Sequence, residues 1–425
     1  MKTFLASLFV LFALNANSRV LVVKEYGVNA TYSTIAAALA ASLDNDTIVI
    51  YDKPSGQLWL EDILIDKNLT FLHPNPGTRF KVPAQVTISP KAGMDLYFIG
   101  WDLNGKSITA TETGNTATPA NRAKITVTDC INVADINLNV DWIDARVFYN
   151  QTNITGNIYF RHGLAVANII SGGILTVPES TTVAQNDSLI IVGNKAKWCF
   201  FNSEECGLIA NNYFTNNNWI PGNINWTEPG HLNALCIIKH NQGANAFLTI
   251  VNNTIFNTSS ANTAKIGLVF ANCGTVSNIK ILNNLIGSIG SGTTNHGVWF
   301  TGHSGQAYMS HNYITTVGSD KFTNMTFNNE LNYTANTANA YGSVDTWGRA
   351  ASGNTQLINK GNYLGEYYDI DLTRNDIGTY GGPYTIDNYL TSGNGKGKVL
   401  YINIKHQLTN LNQILKVKGS AGAKF

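Results

Sequence analysis

Charged residues are scarce in this sequence. They make up 13% of its 425 residues, about half the quarter that is usual for soluble domains. The 28 basic and 27 acidic side chains leave a net charge of +1, which excludes a polybasic nucleic-acid-binding protein as the default interpretation. Because 44% of the residues are nevertheless hydrophobic, the chain can bury a core and is not intrinsically disordered.

Proline is also scarce, with 10 residues against 38 glycines. Together with abundant asparagine, serine and threonine, this composition predicts many short strands joined by tight turns. The length exceeds that of one ordinary compact domain, so the chain forms either two or three domains or one elongated, repetitive domain. No long hydrophobic run is present that predicts a transmembrane segment.

Cysteine is the third scarce residue, and its five positions are Cys130, Cys199, Cys206, Cys236 and Cys273. Five cysteines are too few for a disulfide scaffold at this length, and their spacing does not fit a zinc site. Cys199 and Cys206 could pair across a turn. The favoured interpretation is that most of the cysteines are small core residues.

The N-terminus has the pattern of a secretory signal peptide. Lys2 precedes an apolar stretch from Phe4 to Leu14, and the small residues Ala16 and Ser18 lie at positions −3 and −1 of a cut after Ser18. This stretch is too short to span a bilayer. We therefore expect residues 1–18 to be removed and the protein to be secreted or held at the cell surface. The alternative is a buried first strand or helix.

A helix and several strands are predicted at the start of the mature chain. Ser33 or Thr34 can cap a helix whose apolar face contains Ile35 and Leu39. Strand patterns cover 19–24, 47–51, 62–65 and 69–72. From there on, short apolar segments alternate with Gly, Asn and Asp turns almost to the C-terminus.

Five similar strings recur in the second half of the chain. Their second residues, which we call anchors, are Asn212, Asn253, Asn284, Asn312 and Asn362. The number of residues between successive anchors varies because some intervals contain insertions. Strings that recur in this way are typical of a solenoid. Aligned on the anchors, three columns of apolar residues appear: Leu248, Ile279 and Ala307; Ile250, Ile281 and Met309; Ile255, Ile286 and Ile314.

The anchor asparagines have a predicted role in such a solenoid. A sharp bend between two strands needs a residue near the left-handed helical region, which Asn tolerates better than most residues. Stacked Asn side chains can also hydrogen-bond along the solenoid axis. The alternative is that Asn at these positions merely follows the composition.

With these repeats, the chain resembles the right-handed parallel β-helix proteins of the pectin-lyase-like superfamily. The segment 32–50 looks like their opening helix and strand, and 374–383 looks like the closing segment of secreted bacterial members. The resemblance implies an all-β fold, a single-stranded right-handed parallel β-helix (solenoid), over residues 19–384. A solenoid needs covered ends, so we expect an N-terminal capping helix and a C-terminal β cap in 385–425, with strands at Val399–Ile404 and Gln413–Val417.

The resemblance also implies a polysaccharide or glycan partner, with lyases and hydrolases as the common enzymes. The paired aspartates of polygalacturonases and the Arg-rich string of pectate lyases are absent from this sequence. We therefore expect a secreted or cell-surface protein that binds extended carbohydrate along its solenoid face, with or without catalysis. The alternative is a polysaccharide lyase or glycoside hydrolase.

One constellation is the candidate catalytic set. The anchor alignment makes Ile238, Phe270 and Phe300 the ends of equivalent strands, and neighbouring coils lie about 4.8 Å apart. The turns that follow carry the four candidates, Glu204, Lys239, His240 and His303. A carboxylate beside Lys and His can bring a base toward neutrality. The other interpretation is that these are ordinary solvated turn residues.

Three further residues are candidates for substrate binding. Trp219 and Trp226 flank Pro221 in an insertion, where exposed aromatic rings would stack on sugars. Arg349 follows a long insertion that could fold over the groove. Core packing is the alternative role for the tryptophans.

No cofactor is predicted with certainty, and Ca²⁺ is the one that the acidic residues leave open. A calcium site needs clustered carboxylates. The nearest cluster is Asp369, Asp371 and Asp376, in the closing segment. Turn chemistry or a structural cation site are the two interpretations of these three residues.

Overall fold

The structure is a computed structural model. It describes the following residues: 18–27, 30–75, 78–153, 156–177, 188–202, 206–216, 232–238, 247–257, 265–271, 278–288, 295–301, 306–316, 320–323, 344–385, 397–404 and 417–423. These residues form an all-β structure with one α-helix and long parallel sheets, which is compatible with a solenoid.

Sheet 1 has twelve parallel strands. They are β1 (Val20–Val23), β2 (Asp46–Ile50), β4 (Leu69–Leu72), β7 (Asp95–Ile99), β10 (Ala123–Thr128), β12 (Ile143–Phe148), β14 (Gly163–Val166), β16 (Ser188–Val192), β19 (Cys206–Ala210), β22 (Phe247–Val251), β25 (Asn278–Leu282) and β28 (Gln306–Ser310).

Sheet 2 has eleven parallel strands. They are β3 (Ile63–Ile65), β6 (Val86–Ile88), β9 (Ile108–Ala110), β11 (Ile136–Leu138), β13 (Ile158–Phe160), β15 (Gly173–Thr176), β18 (Trp198–Asn202), β21 (Leu232–Ile238), β24 (Lys265–Ala271), β27 (Asn295–Thr301) and β30 (Asp320–Thr323).

Sheet 3 has five parallel strands, and two shorter sheets complete the structure. The strands of sheet 3 are β17 (Lys195–Ala196), β20 (Tyr213–Asn216), β23 (Thr254–Asn257), β26 (Leu285–Ser288) and β29 (Tyr313–Thr316). The two-stranded sheets are β5 (Phe80–Lys81) with β8 (Trp101–Asp102), which is parallel, and β31 (Gly397–Ile404) with β32 (Val417–Ala423), which is antiparallel.

From β16 onward the chain visits sheet 1, sheet 3 and sheet 2 in that order and then returns to sheet 1 beside its previous strand. We call one such circuit a coil, and we use the same word for the earlier circuits, which pass between sheets 1 and 2. Side chains that point into the core alternate with side chains that point outward along the strands, as the buried–intermediate–buried pattern of β2 and β6 shows. Inward-facing side chains of all three sheets form one continuous core, and other buried side chains of sheets 1 and 3 form two further clusters with residues of the segment 344–385.

The predicted columns of apolar residues are confirmed by the strand register. Leu248 pairs with Ile279 and Ile279 with Ala307, and the other two columns align in the same way. The first strands lie where the sequence predicts them, with β4 matching its predicted bounds. The residues of these columns whose burial the structure describes are at most 1% exposed, so like residues rest on like along the core.

The helix is α1 (Ile35–Ala41), and Thr34 is its N-cap. The Oγ1 atom of Thr34 accepts a hydrogen bond from the backbone N–H of Ala37 at 3.1 Å, as expected for a threonine at this position. The Glu61 carboxylate accepts the backbone N–H of Ala36 at 2.8 Å. The helix contacts β1 and β3.

Asparagine side chains form a buried ladder at the corner between sheets 1 and 3. Seven of them, at most 1% exposed, stack on successive coils: Asn150, Asn168, Asn194, Asn212, Asn253, Asn284 and Asn312. The prediction that anchor asparagines hydrogen-bond along the axis is therefore confirmed for four of the five strings, and three further members precede them.

The left-handed conformation, however, belongs to the residue before each of the four anchors in the ladder. Asn211, Asn252, Asn283 and His311 have φ values of 53° to 55°. The assignment of this conformation to the anchors was wrong. In each of these four strings the first residue forms the bend. Because of the bend, the side-chain amide of the second residue, the anchor, points into the ladder.

The fifth string, around Asn362, does not stack on the other four. It lies in the segment 344–385, which contains no strand of the three sheets and which we call the strap. The backbone N–H of Asn362 donates to Oδ1 of Asn283 at 2.7 Å, so this string packs on the outside of the corner. Gly361 does not adopt the left-handed conformation of the bend residues, and Oδ1 of Asn362 accepts the backbone N–H of Leu364 at 2.9 Å, so this string resembles the others in sequence and not in conformation.

The strap crosses the corner between sheets 1 and 3. Nδ2 of Asn211 donates to the carbonyl oxygen of Thr379 at 2.9 Å, and Nδ2 of Asn252 donates to Oδ1 of Asn375 at 2.7 Å. The outward side chains of the bend residues are therefore partners of the strap, while the anchors belong to the ladder.

The predicted C-terminal strands differ partly from the structure. The first lies within β31, but β32 begins at Val417, where the second was predicted to end. Among the described strands β31 and β32 pair with each other and not with the three sheets, so they do not extend the last coil by strand pairing. That they cover its end stays a prediction.

Cys130 and Cys199 are free and completely buried. A disulfide between Cys199 and Cys206 is therefore excluded. Burial raises the pKa of the Cys130 thiol to about 12 and raises that of Cys199 as well. Both behave as core residues, as the sequence favoured.

Candidate functional site

The predicted catalytic residues Glu204, Lys239, His240 and His303 lie outside the described residues. The strands that precede them are described, and they end in register. Asn202 of β18 pairs with Ile238 of β21, which pairs with Ala271 of β24, and Ala271 pairs with Thr301 of β27. The predicted alignment of Ile238 with Phe270 was one residue out, because Phe270 pairs with Ile237. Connections of unequal length separate the anchors from these strands, so counting from the anchors missed the shift.

The predicted binding residues fall in different connections. Trp219 and Trp226 lie outside the described residues, in the segment that joins β20 of sheet 3 to β21 of sheet 2. Arg349 is described and exposed on the strap, with its guanidinium 4.8 Å from the centre of the Tyr380 ring. The strap lies at the corner between sheets 1 and 3, whereas the candidate catalytic residues follow strands of sheet 2.

The three aspartates of the closing segment serve the local backbone. Oδ1 of Asp369 accepts the backbone N–H of Gly382 at 2.5 Å, and Asp371 accepts that of Thr373 at 3.0 Å. Asp376 accepts the backbone N–H of Asn359 at 2.7 Å. Within the described ranges no group of three or more His, Cys, Asp or Glu side chains is arranged to hold a metal ion. Turn chemistry is therefore the interpretation that the contacts support.

A polar surface does occur on the described outer face of sheet 2, in earlier coils. One outward position is occupied on successive strands by residues that pair in register, and we call them the outer column: Leu64, Thr87, Thr109, Asn137, Tyr159 and Leu175. Each is exposed or half-buried between buried neighbours. In the next coil the equivalent residue, Phe200, is 1% exposed, so the open part of this face ends there.

Hydrogen bonds between coils fix the side chains beside the outer column. Nε2 of Gln85 donates to Oγ1 of Thr109 at 3.2 Å, and the backbone N–H of Asn157 donates to Oδ1 of Asp135 at 2.8 Å. Burial raises the pKa of Asp135, and burial together with the Asp135 charge raises the pKa of Tyr159. The hydroxyl of Tyr159 is therefore a neutral donor and acceptor.

The outer column runs into a charged group at the corner that leads from sheet 2 to sheet 1. Nε of Arg161 donates to Oδ1 of Asn139 at 3.0 Å, and its Nη1 lies 2.5 Å from Oδ1 of Asp141. The Glu112 carboxylate of the preceding coil accepts the backbone N–H of Asp141 at 3.3 Å. The chain must turn tightly after Arg161, since a Cβ on Gly163 would collide with the carbonyl oxygen of Ala145.

An aromatic residue in an unusual conformation completes this group, which we call the corner cluster: Glu112, Arg122, Asn139, Asp141, Trp142 and Arg161. Trp142 is half-buried and has φ of 64°, a conformation that bulky residues rarely adopt and that is found at functional positions more often than elsewhere. The guanidinium carbon of Arg122 lies 5.5 Å from the centre of its ring.

The outer face of sheet 1 carries a second charged row beside this corner. Asp95, Lys124 and Asp144 pair in register on three adjacent strands, and Nη2 of Arg146 lies 2.9 Å from Oδ2 of Asp144. Burial, the Asp95 charge and a hydrogen bond with that carboxylate raise the pKa of Tyr97.

The side chains on these surfaces can hold a polar ligand. Asp141 and Asp144 each pair with an arginine, whereas Asp135, whose pKa burial raises, accepts hydrogen bonds from the backbone N–H and Nδ2 of Asn157. Amides, hydroxyls, guanidinium groups and an aromatic ring are the groups that hydrogen-bond to and stack against sugars. One sequence signal could have indicated them, the alternation of apolar and polar residues in β9 to β13, which lies outside the five recognised repeats.

No protein-family model matches the chain, and no curated protein and no solved structure matches it either. The described residues contain no helix with the length and apolar character needed to cross a membrane.

Proposed function

We propose that this chain is a right-handed parallel β-helix of the pectin-lyase-like type, exported to the cell surface or medium, that binds an extended carbohydrate along the outer face of its coils. Binding does not require cleavage. The composition, the signal-peptide pattern and the parallel sheets visited in rotation support this proposal.

The observation that carries the proposal is the outer column. It offers a hydrogen-bonding side chain at the same position of four successive coils, from Thr87 to Tyr159, with a rise of about 4.8 Å per coil. A linear polymer lying along this face would meet an equivalent group at each step. Hydrogen bonds between coils hold the surrounding side chains in place, which lowers the entropic cost of binding.

The corner cluster supports a polar, elongated ligand at the end of this column. Arg161 is two residues beyond Tyr159, and Asn139 is two residues beyond Asn137. The column and the corner therefore form one continuous surface. The half-buried side chain of Trp142 packs against the core and has the Arg122 guanidinium 5.5 Å from the centre of its ring, so it adds a fixed aromatic group beside this surface.

Polysaccharides of different charge and linkage, incubated with the purified protein, test the proposal. We expect binding in affinity electrophoresis or calorimetry, with no change in polymer length. Replacement of Tyr159 or Asn137 by alanine should weaken binding by about tenfold. Lys280→Ala is the matched control, because Lys280 is exposed on sheet 1, several coils away. Binding to none of the polymers, or equal affinity in all three variants, would refute the proposal.

A polysaccharide lyase or glycoside hydrolase is the second candidate, and one observation favours it. Strands β18, β21, β24 and β27 end in register, so the connections that contain Glu204, Lys239, His240 and His303 leave sheet 2 at adjacent coils. Lyase products would absorb ultraviolet light through their new C=C bond, and hydrolase products would show only new reducing ends. If either appears, Lys239→Ala and His303→Ala test the catalytic set, which unchanged turnover in both would discard.

A further inference from the structure

A buried carboxylate lies at the N-terminal edge of sheet 1. Asp46 is the first residue of β2, and its side chain has no exposed surface. Oδ1 accepts the backbone N–H of Arg19 at 2.8 Å. Oδ2 accepts the backbone N–H of Leu43 and Nη2 of the Arg19 guanidinium, both at 2.7 Å. Asp46 therefore holds Arg19 by both its backbone and its side chain.

The backbone of Arg19 is fixed on its other side as well. Its carbonyl oxygen accepts the backbone N–H of Thr47 at 2.8 Å, just before β1 begins to pair with β2. Ser18 and Arg19 are both exposed. The nitrogen on the C-terminal side of the peptide bond between them points at the Asp46 carboxylate.

We propose that hydrolysis of the Ser18–Arg19 bond creates a new N-terminus whose α-ammonium group forms an ion pair with the buried carboxylate of Asp46. This inference rests on the export that is part of the proposed function, since a signal peptidase is the enzyme expected to cut there. Water adds to the Ser18 carbonyl carbon and the C–N bond breaks. Ser18 leaves as a carboxylate, and the Arg19 nitrogen becomes an amine that takes up a proton.

Cleavage changes the strength of an existing contact and needs no rearrangement. The neutral amide donor becomes a charged donor at the same atom, and 2.8 Å is already the usual length of a charge-assisted N–H···O hydrogen bond. The carboxylate has no exposed surface, whereas Arg19 is exposed, so salt should partly screen the added charge and its effect should be largest at low ionic strength. The processed chain should consequently hold β1 and the first coil more firmly than the precursor does.

Other charged groups around this site have partners of their own. Nζ of Lys67 donates to the carbonyl oxygens of Leu39 and Ser42, and Asp44 accepts the backbone N–H of Asn68. The Arg19 guanidinium also donates to the carbonyl oxygen of Ala41 at 2.8 Å. Tyr32 is a further titratable group that faces that guanidinium. Asp46 already pairs with the Arg19 guanidinium at 2.7 Å, so the α-ammonium group is a second cation at the same carboxylate and is the one charge that cleavage adds.

Two chains that differ by one residue test the pairing. One begins at Arg19 and the other at Ser18, each released from a cleavable fusion that leaves no extra residue, and each is also made with Asp46→Asn. We expect the unfolding equilibrium constant of the Arg19 chain to be about tenfold smaller than that of the Ser18 chain at pH 6. With the Asp46→Asn substitution in both chains, the two constants should agree. Acetylation of the Arg19 amine should abolish the advantage without altering Asp46.

The pH dependence gives a second readout. Pairing raises the pKa of the α-amino group above its ordinary value of about 7.7–8.0, so the advantage is complete below that value and disappears as pH rises through the raised pKa. Equal stability of the two chains at pH 6 would overturn the inference. Cleavage at another bond in an exporting host, seen by N-terminal sequencing, would also overturn it. Failure of export alone would count against the proposed function and not against the ion pair. The stabilities of the two purified chains test the ion pair whether or not the protein is exported.

Discussion

The side-chain amides of Asn253 and Asn284 stack on neighbouring coils. Nδ2 of Asn253 donates to Oδ1 of Asn284 at 2.9 Å, and the same oxygen accepts the backbone N–H of Asn253 at 2.9 Å. Nδ2 of Asn253 also donates to the carbonyl oxygen of Ile209 at 2.8 Å. Each rung of the ladder therefore satisfies polar groups of the coils on both sides of it, inside a completely buried corner.

Removal of one rung should destabilise the fold strongly. In Asn253→Ala, the backbone N–H and Nδ2 of Asn212 lose their shared acceptor, and each buried, unsatisfied group costs about 1–3 kcal/mol. We expect a loss on the order of 3 kcal/mol in the free energy of unfolding, measured by chemical denaturation. Asn75→Ala is the control, since Asn75 is exposed, and it should change stability by less than about 0.5 kcal/mol. Equal effects would mean that the ladder does not stabilise the stack.

A bend residue that is neither Gly nor Asn can be replaced to make the folded protein more stable. Ala167 has φ of 60°, and the equivalent residue one coil later is Gly193, with φ of 65°. The left-handed region costs a residue with a Cβ about 1–2 kcal/mol, which exceeds the entropic cost of glycine. We expect Ala167→Gly to raise the melting temperature and Gly193→Ala to lower it. Ala165→Gly, in the adjacent buried strand, should also lower it, and a gain there would point to some other cause.

The strap depends on close backbone contact at Gly381. A Cβ at this position would collide with the carbonyl oxygen of Asp376 and with Nδ2 of Asn252. Gly381→Ala should therefore release the strap and increase hydrogen exchange in 344–385 about tenfold or more, with little change in the ladder. Gly365→Ala is the matched control, because a Cβ added to Gly365 would have no neighbouring atom within 4 Å. Uniform loss of protection across the whole chain would show that the strap does not open separately.

The strap should also loosen as pH rises. Burial raises the pKa of Asp369 to about 6, with the Asp376 and Asp371 carboxylates adding to the effect and the backbone N–H groups of Gly382 and Asp376 opposing it. A carboxyl group whose pKa is raised by folding stabilises the folded state fully below its unfolded pKa of about 3.9 and loses that contribution as pH rises through about 6.

Proteolysis of the strap between about pH 4 and pH 7 measures this dependence. We expect the wild-type strap to be cut faster, relative to an unstructured peptide, at the higher pH. Asp369→Asn keeps an oxygen to accept the Gly382 N–H and has no charge, so its susceptibility should vary less than that of the wild type over this interval, with the remaining dependence coming from Asp376, whose pKa burial also raises. A variant that follows the wild-type profile would assign the pH dependence to other groups.

Part of the ladder could not be recognised by comparing segments of the sequence with one another. Asn150, Asn168 and Asn194 follow Tyr149, Ala167 and Gly193, so these coils lack the Asn pair or His-Asn pair by which the later strings were recognised. The conformation of the bend, which Gly, Ala and Tyr also adopt here, is the shared feature, and the sequence does not display it. The string at Asn362 is the opposite case, because its sequence resembles the other four strings but it lies in the strap and not in a coil.

The candidate catalytic residues were proposed from spacing alone, and the register of β21 with β24 shows how a shift of one residue arises when connections differ in length. The outer column and the corner cluster were missed for a related reason. Their members lie in different coils, for instance Asn137 and Tyr159, and no single string repeats among them. Only stacking brings them into one row.

Local patterns in the chain were enough to specify the repeated strands, the apolar columns and the anchor asparagines. Each of these depends on the alternation of apolar and polar residues along a strand, on a turn residue, or on a side chain that must be buried with its hydrogen bonds satisfied. Three-dimensional packing was needed to decide which residue of each pair bends, where the strap lies and which polar side chains share a face. Those features depend on contacts between residues far apart in the chain, such as Asn252 and Asn375, and the length of the intervening connections does not reveal them.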